Sequence, residues 1–473
     1  MKNAMKQSLS GLLAVTCMTA FLGCGAQQEQ ISGSETEIGM STEESMPATD
    51  MTEKEESVAP QTTELSDGTE ESSPEDGTSA EGSSGQDVVF GDERSDLYLP
   101  HLSGKRVALL TNQCGIVGDD PEGAHILDAL LAQNVDVEVV FSPEHGFRGT
   151  ADAGETVENA TDEKTGVPLV SLYGNGRTNE PAASDMERFD LVVVDLQDVG
   201  LRYFTYYISV LYMMDACAQY DKEMLVLDRP NPNGFYIDGP ILKEPFYSGV
   251  GMLPVPIVYG LTMGELAQMI NGEGWLSAGK DACDLTVIPC DNYTHETTYH
   301  LNHMPSPNLK DMHAIYLYPS TCFFENTVVS VGRGTDAPFN IYGSPYLAGV
   351  SGYEYTFTPV PMIGAKEPPF EGEVCYGEDL RDIPEEEIWE KQIDLTYLID
   401  TYHAVKQVSP DISFFGKGSN DRYFLDLLAG TDELRKQIEN GEDAETIKAG
   451  WQGEIDAFKE QCKPYLLYGT FWK

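Results

Sequence analysis

The feature that most constrains this chain is a series of short apolar runs, each broken by a polar loop. The clearest are Arg106 to Thr111, Val137 to Phe141, Leu191 to Leu196 and Met224 to Leu227. Pro168 to Tyr173 reads as a further strand and Val255 to Tyr259 as a short one, while helical spacing runs over Gly123 to Gln133 and Thr205 to Tyr220. Near-continuous apolar strands alternating with helices predict an α/β fold with a parallel sheet covered on both faces. Right-handed crossovers then bring the carboxyl ends of the strands to one edge, where open α/β sheets bind ligands.

Polar residues collect at those ends. The first strand ends at Asn112, and Gln197 and Asp198 follow the third clear run. Asp228, Arg229 and Asn231 follow the fourth. The second run delivers Glu144, His145 and Arg148 into a loop flanked by Pro143 and Gly146. Pro143 interrupts the strand ladder and Gly146 removes a side chain, so the spacing predicts an exposed Glu144 head, as a proton donor requires. Arg148, Arg202, Arg229 and Arg333 sit beside Gly or Pro, where a guanidinium offers a fork to a carboxylate or is spent on a neighbouring acid. Tyr203, Phe204, Tyr206 and Tyr207 can stack on sugars or pack the core. No dinucleotide or P-loop glycine pattern and no G-x-S-x-G occurs. His295, His300, His303 and His313 fit no standard zinc spacing, so no metal is expected.

The formal charge of −49 argues against nucleic acid as a partner. Lys2 and Lys6 precede an apolar stretch, Leu12 to Leu22, that is short for a membrane span and reads as an export signal. Cys24 follows a small residue, a pattern like a bacterial lipobox, which predicts lipidation and anchoring at the outer face of the cell membrane. From Gln27 to Gln86 the chain holds sixteen acids, one Lys and almost no large apolar residues, so it predicts a disordered, extended tether. Nine cysteines occur without a C-x-x-C; Cys283 and Cys290 could close a loop, or all could be buried apolar residues. Near Asp284 the texture shifts to shorter strands richer in aromatics and Pro, at 304–308, 316–321 and 323–339, and then to helices. The organisation expected is a signal at 1–24, a linker at 25–88, a sheet domain at 89–283 and a smaller α+β domain at 284–473.

Six strings, PEHGFRG (from Pro143), LQDVGLRYFTY (from Leu196), LDRPNPNG (from Leu227), YGLTMGELA (from Tyr259), PSPN (from Pro305) and VGRGTDAPF (from Val331), resemble those of the bacterial exo-β-N-acetylmuramidases. The resemblance implies a Rossmann-like domain joined to a smaller one. It also implies an exo-acting glycosidase that takes N-acetylmuramic acid from the non-reducing end of peptidoglycan fragments, with no metal or organic cofactor. The family's PEHG Glu maps onto Glu144 as the acid. His145 and Asp198 would orient it or a water, and Asp198 or Asp228 would be the partner carboxylate. Arg202 or Arg333 would hold the lactyl carboxylate. Asn112, Arg148, Gln197, Tyr206, Arg229, Asn231, Asn308, Glu325 and Thr335 would line the saccharide site. Asn326 and Val328 replace a Gly and an Asn of the family pattern, and Met304 stands where Trp is frequent. The rival expectation is a tethered muropeptide-binding lipoprotein without turnover.

Overall fold

Each clear apolar run becomes a strand because its side chains find cover on both faces. The structure is a computed structural model that describes residues 87–473 apart from 145, 148–158, 175–176, 179, 278–281, 419–420 and 470–473. Its strands are β1 (Arg106–Thr111), β2 (Asp136–Ser142), β3 (Ala160–Thr161), β4 (Pro168–Ser171), β5 (Tyr173–Gly174), β6 (Arg177–Thr178), β7 (Leu191–Asp195), β8 (Glu223–Leu227), β9 (Asp284–Ile288), β10 (Ile341–Ser344), β11 (Tyr355–Phe357) and β12 (Cys375–Asp379). One sheet runs β3-β4-β2-β1-β7-β8-β9, parallel throughout except for the edge strand β3. Counted in chain order, the parallel strands lie 3-2-1-4-5-6, the arrangement of doubly wound dinucleotide-binding sheets.

Alternation along each strand splits the core in two. Ala108, Leu110, Val192, Val194, Met224 and Val226 face the helices Tyr206–Tyr220 and Met263–Gly272. Val107, Leu109, Leu191, Val193, Leu225 and Leu227 face Ser95–Leu102 and Ile126–Ala132. Every such Val or Leu taken from water contributes roughly 1.5–3 kcal/mol before entropy is charged against it. Thr262 and Glu265 form the capping box their spacing predicts, at the start of Met263–Gly272.

Three expectations change. Val255 to Tyr259 makes only isolated bridges, with Val258 touching Leu201 and Asp238. Tyr316 to Thr321 is the second half of a helix, Met312–Thr321, whose N-terminus is capped by Asp311. Strand β9 lies beyond the expected 283/284 boundary yet pairs with β8, so the large sheet runs past that boundary. Beyond it come the antiparallel sheet β10-β12-β11 and the helices Glu385–Lys391, Thr396–Val408, Phe424–Ala429, Glu433–Glu439 and Ala444–Cys462.

Candidate functional site

The strand order reverses between β1 and β7, and in open α/β sheets the ligand crevice lies at that point. Here the crevice is filled by the chain itself. Arg229, just after β8, donates Nε to Asp195 at 2.6 Å and Nη2 to Asp92 at 2.7 Å and to the Ile116 carbonyl at 3.1 Å. Its guanidinium also lies over the Phe90 ring. The segment carrying Phe90 and Asp92 sits tight against the sheet, with the Gly91 amide on the Asp228 carbonyl at 2.9 Å. A Cβ at Gly91 would come within 2.5 Å of Asp228 N, so only glycine fits there. Two carboxylates share one buried guanidinium, and burial pushes the Asp92 carboxyl up to about 7.

One strand away the edge is built differently. After β2 the chain makes a turn, with the Gly146 amide bonded to the Pro143 carbonyl and Gly146 at φ +73°. That conformation favours glycine and sets Glu144 on the turn's crest. Glu144 is half-buried. Its Oε2 accepts a hydrogen bond of 2.5 Å from the Thr205 hydroxyl. Thr205 is the N-cap residue of Tyr206–Tyr220, so the carboxylate lies at the positive end of a 15-residue helix.

A wall of buried rings extends from there. Tyr206 donates its hydroxyl to the Pro305 carbonyl at 2.6 Å, tying the helix to the PSPN segment. Burial, with the charges of Cys114 and Glu144 adding to it, holds the Tyr206 phenol well above its usual range, so it is a neutral donor. The ring of Tyr206 touches Phe204, Phe204 touches Tyr318, and Tyr318 packs on Phe339. Arg333 lies over Phe339 and donates Nε to Glu325 at 2.7 Å. Its other two guanidinium nitrogens make no hydrogen bond among the described residues. Arg333 thus stands at the far end of the wall that begins beside Glu144. Lys310 follows PSPN and reaches the Thr335 carbonyl at 2.8 Å. Beside Tyr206 and Pro305, Asn112 Nδ2 and Gln113 Oε1 are buried without partners among the described residues.

Several expected site residues are spent elsewhere. Arg202 is fully buried and donates to the carbonyls of Pro240, Val255 and Leu428, so it cannot hold a substrate carboxylate. Arg229 is consumed by Asp92 and Asp195, as described. Tyr206 is 1% exposed and packs as core, so it offers no stacking face to a sugar. Asp228 is fully buried and accepts from Thr262 Oγ1, Gly264 N and Tyr468 OH, which makes it a cap for Met263–Gly272 instead of a partner carboxylate facing a cleft. Asn231 accepts from the Asn233 amide and donates to the Leu261 carbonyl. Gln197 donates to the Asp198 and Pro230 carbonyls, although its Oε1 is buried without a partner among the described residues. Asn308 donates to the Gly364 carbonyl at 2.8 Å, and Thr335 Oγ1 to the Gly332 carbonyl at 2.6 Å.

Asp198 differs from Asp228. Its Oδ2 accepts from the Gly200 amide and the Tyr259 hydroxyl, but Oδ1 is buried without a partner among the described residues. Burial raises its carboxyl to about 6, against the lowering effect of those bonds. His145, Arg148 and Cys24 lie outside the described residues.

The family models match both halves of the chain. The N-terminal model of the exo-beta-N-acetylmuramidase NamZ covers residues 107–313 and the C-terminal model covers 316–468. The peptidoglycan beta-N-acetylmuramidase NamZ of Bacillus subtilis is 34% identical over 387 residues, 78% of this chain and 89% of that protein. The chain belongs to the NamZ family. Two solved Bacteroides fragilis structures of the DUF1343 family are similar, at 51% identity with a TM-score of 0.72 and at 28% with 0.65. Each covers 81% of this chain and 99% of its own.

One of the departures from the expected pattern has a local explanation. Asn326, in place of Gly, sits at φ +57°, a conformation Asn tolerates better than other side chains, and its neighbour Glu325 keeps the pair with Arg333. The Val328 amide bonds the Phe414 carbonyl, a main-chain contact, and nothing in the structure explains the Val328 side chain. The Met304 carbonyl receives the Cys114 thiol, and nothing in the structure explains the Met304 side chain. The described cysteines are all buried and free, so Cys283 and Cys290 do not close a loop. The histidines do not converge: His295 meets Glu265, His300 meets Glu385, His303 meets Asp119, and His313 meets Asn340. Thr205, Gln113 and Lys310 were not among the expected site residues. Only Thr205 carried a signal, a hydroxyl at the mouth of a predicted helix.

Proposed function

We propose that the protein is an exo-acting glycoside hydrolase that releases N-acetylmuramic acid from the non-reducing end of peptidoglycan fragments in cell-wall turnover. The observation that carries this reading is the match to both NamZ models combined with the PEHG carboxylate of Glu144, half-buried on a turn at a helix N-terminus. In this reading Glu144 protonates the glycosidic oxygen. Arg333 takes the lactyl carboxylate with the guanidinium nitrogens that Glu325 does not use. Asp198 is the partner carboxylate, or the substrate's 2-acetamido group attacks and Asp198 polarises it. Export by the N-terminal signal and a lipid on Cys24 place the enzyme at the outer face of the cell membrane, and the acidic segment at 25–88 serves as its tether.

The test is release of chromophore from a nitrophenyl β-N-acetylmuramide, with muramic acid assayed in parallel from peptidoglycan fragments of defined ends. Turnover of the muramide with loss of one terminal residue at a time supports the reading. Cleavage inside chains overturns the exo assignment. Binding without release of either product leaves a muropeptide-binding lipoprotein.

A further inference from the structure

Thr205 occupies the N-cap position, where a threonine oxygen ordinarily accepts an amide of the first helical turn. It makes no such bond here, and its backbone, at φ −82° and ψ 7°, is not in the extended conformation usual for a cap. The hydroxyl is turned instead onto Glu144 Oε2, at 2.5 Å. Its neighbours fix it in place. Tyr203 donates to the Pro319 carbonyl at 2.8 Å and Tyr206 to the Pro305 carbonyl at 2.6 Å. Phe204 is wedged against Tyr206 and Tyr318. A capping interaction has been given up, and a rigid stretch aims the freed hydroxyl at one oxygen of one carboxylate.

We infer that Thr205 is a positioning residue for Glu144, holding its carboxyl in place for proton delivery. A hydroxyl has one hydrogen to donate, and while it is given to Oε2 that oxygen serves as acceptor. As the C1–O bond breaks, the carboxyl proton of Glu144 moves to the glycosidic oxygen, which leaves with the bonding pair as an alcohol. Water then adds its hydroxyl at C1 and gives up its remaining proton to a carboxylate, which restores the proton that Glu144 spent. The carboxylate left behind keeps its bond from Thr205, which strengthens as charge develops on it. Thr205 touches neither sugar nor water in this step. The inference rests on the reading of Glu144 as the acid.

The test compares kcat/KM on two muramides, one with a saccharide leaving group that needs a proton and one with a dinitrophenyl group that does not. For Thr205→Val we expect kcat/KM to fall about tenfold to a hundredfold on the saccharide, within the span of acid catalysis, and by less than about twofold on the dinitrophenyl substrate. Thr205→Ser, which keeps the hydroxyl, restores most of the saccharide activity. The thermal midpoint of Thr205→Val stays near that of the parent, because no capping bond is lost. Glu144→Gln is run beside it and should show the same dependence on leaving group, in larger measure. Equal losses on both substrates in Thr205→Val, or no loss on either, overturn the positioning role while a leaving-group-dependent Glu144→Gln leaves the acid intact. Near-parental saccharide activity in Glu144→Gln overturns the acid reading itself.

Discussion

The crevice between β1 and β7 and the turn after β2 lie on the same carboxyl edge, yet they use charge in opposite ways. At the crevice Arg229 is locked between two acids and a carbonyl, and the side chains of Arg229, Asp92 and Asp195 are 2%, 0% and 0% exposed. At the turn Glu144 accepts a bond from the Thr205 hydroxyl and stays half-buried, within reach of solvent. The sheet thus retains the strand order of a dinucleotide-binding fold and closes the place where the dinucleotide would lie. What separates a structural from a chemical charge here is how completely the chain encloses it. Buried charges must be paired, and a fully paired group has nothing left for a substrate.

The contrast is broken most directly by exchanging one charge in each region. Arg229→Met strands two acids in the interior and should cost about 3–5 kcal/mol of stability, read as a large fall in denaturation midpoint, with turnover per folded molecule preserved. Glu144→Gln should lower turnover of a saccharide by about 10²–10⁴-fold with a midpoint close to the parent's. An Arg229→Met protein of parental stability, or a Glu144→Gln protein that unfolds early, would reverse the assignment of the two regions.

The sequence shows why these regions were not equally legible. Strands β1, β7 and β8 stand within a residue of their apolar runs, because a parallel strand buried on both faces admits little else. Strand β9, DLTVI, is only partly apolar, at a sheet edge with three half-buried positions, and its run was too weak to register. The turn at Pro143 was legible because Pro and Gly act locally. Which arginines remain available was not. Arg202 and Arg333 both lie in Gly-flanked loops, and their fates are set by carbonyls and acids up to 226 residues away, as with Leu428. Asp228 shares the look of Asp198 in sequence, but the helix start at Thr262 and the C-terminal Tyr468 claim it.

The sealed crevice also predicts a pH dependence. Burial raises Asp92 to about 7 and Asp198 and Asp228 to about 6, from a usual carboxyl value of 3.8. The folded state therefore holds protons that the unfolded chain has released. The stability these groups contribute is fully present below about pH 4 and is lost as pH rises through 6 and 7. The midpoint should accordingly be higher at pH 5 than at pH 7.5 at fixed ionic strength. Asp92→Asn carries no titrating proton at the crevice and should flatten that slope. A slope identical to the parent's would show that the acids around Arg229 do not share it as described.

The finest comparison is between the two arginines. Arg229 is enclosed, whereas the Arg333 side chain is 19% exposed and its partner Glu325 22%. A pair with that much access to water contributes little, so Arg333→Met should change stability by no more than about 1 kcal/mol. Its effect belongs to binding. A charge-assisted bond to the lactyl carboxylate contributes about 1.5–3 kcal/mol, so KM for a muramide should rise about tenfold to a hundredfold with kcat little changed. A muramide whose lactyl acid is masked as a methylamide offers no carboxylate to Arg333. The parent should discriminate between the free acid and the amide, and Arg333→Met should treat them alike. If the variant still prefers the free acid by the parental factor, the carboxylate is held by another cation, and Lys310 beside Thr335 is the next to replace.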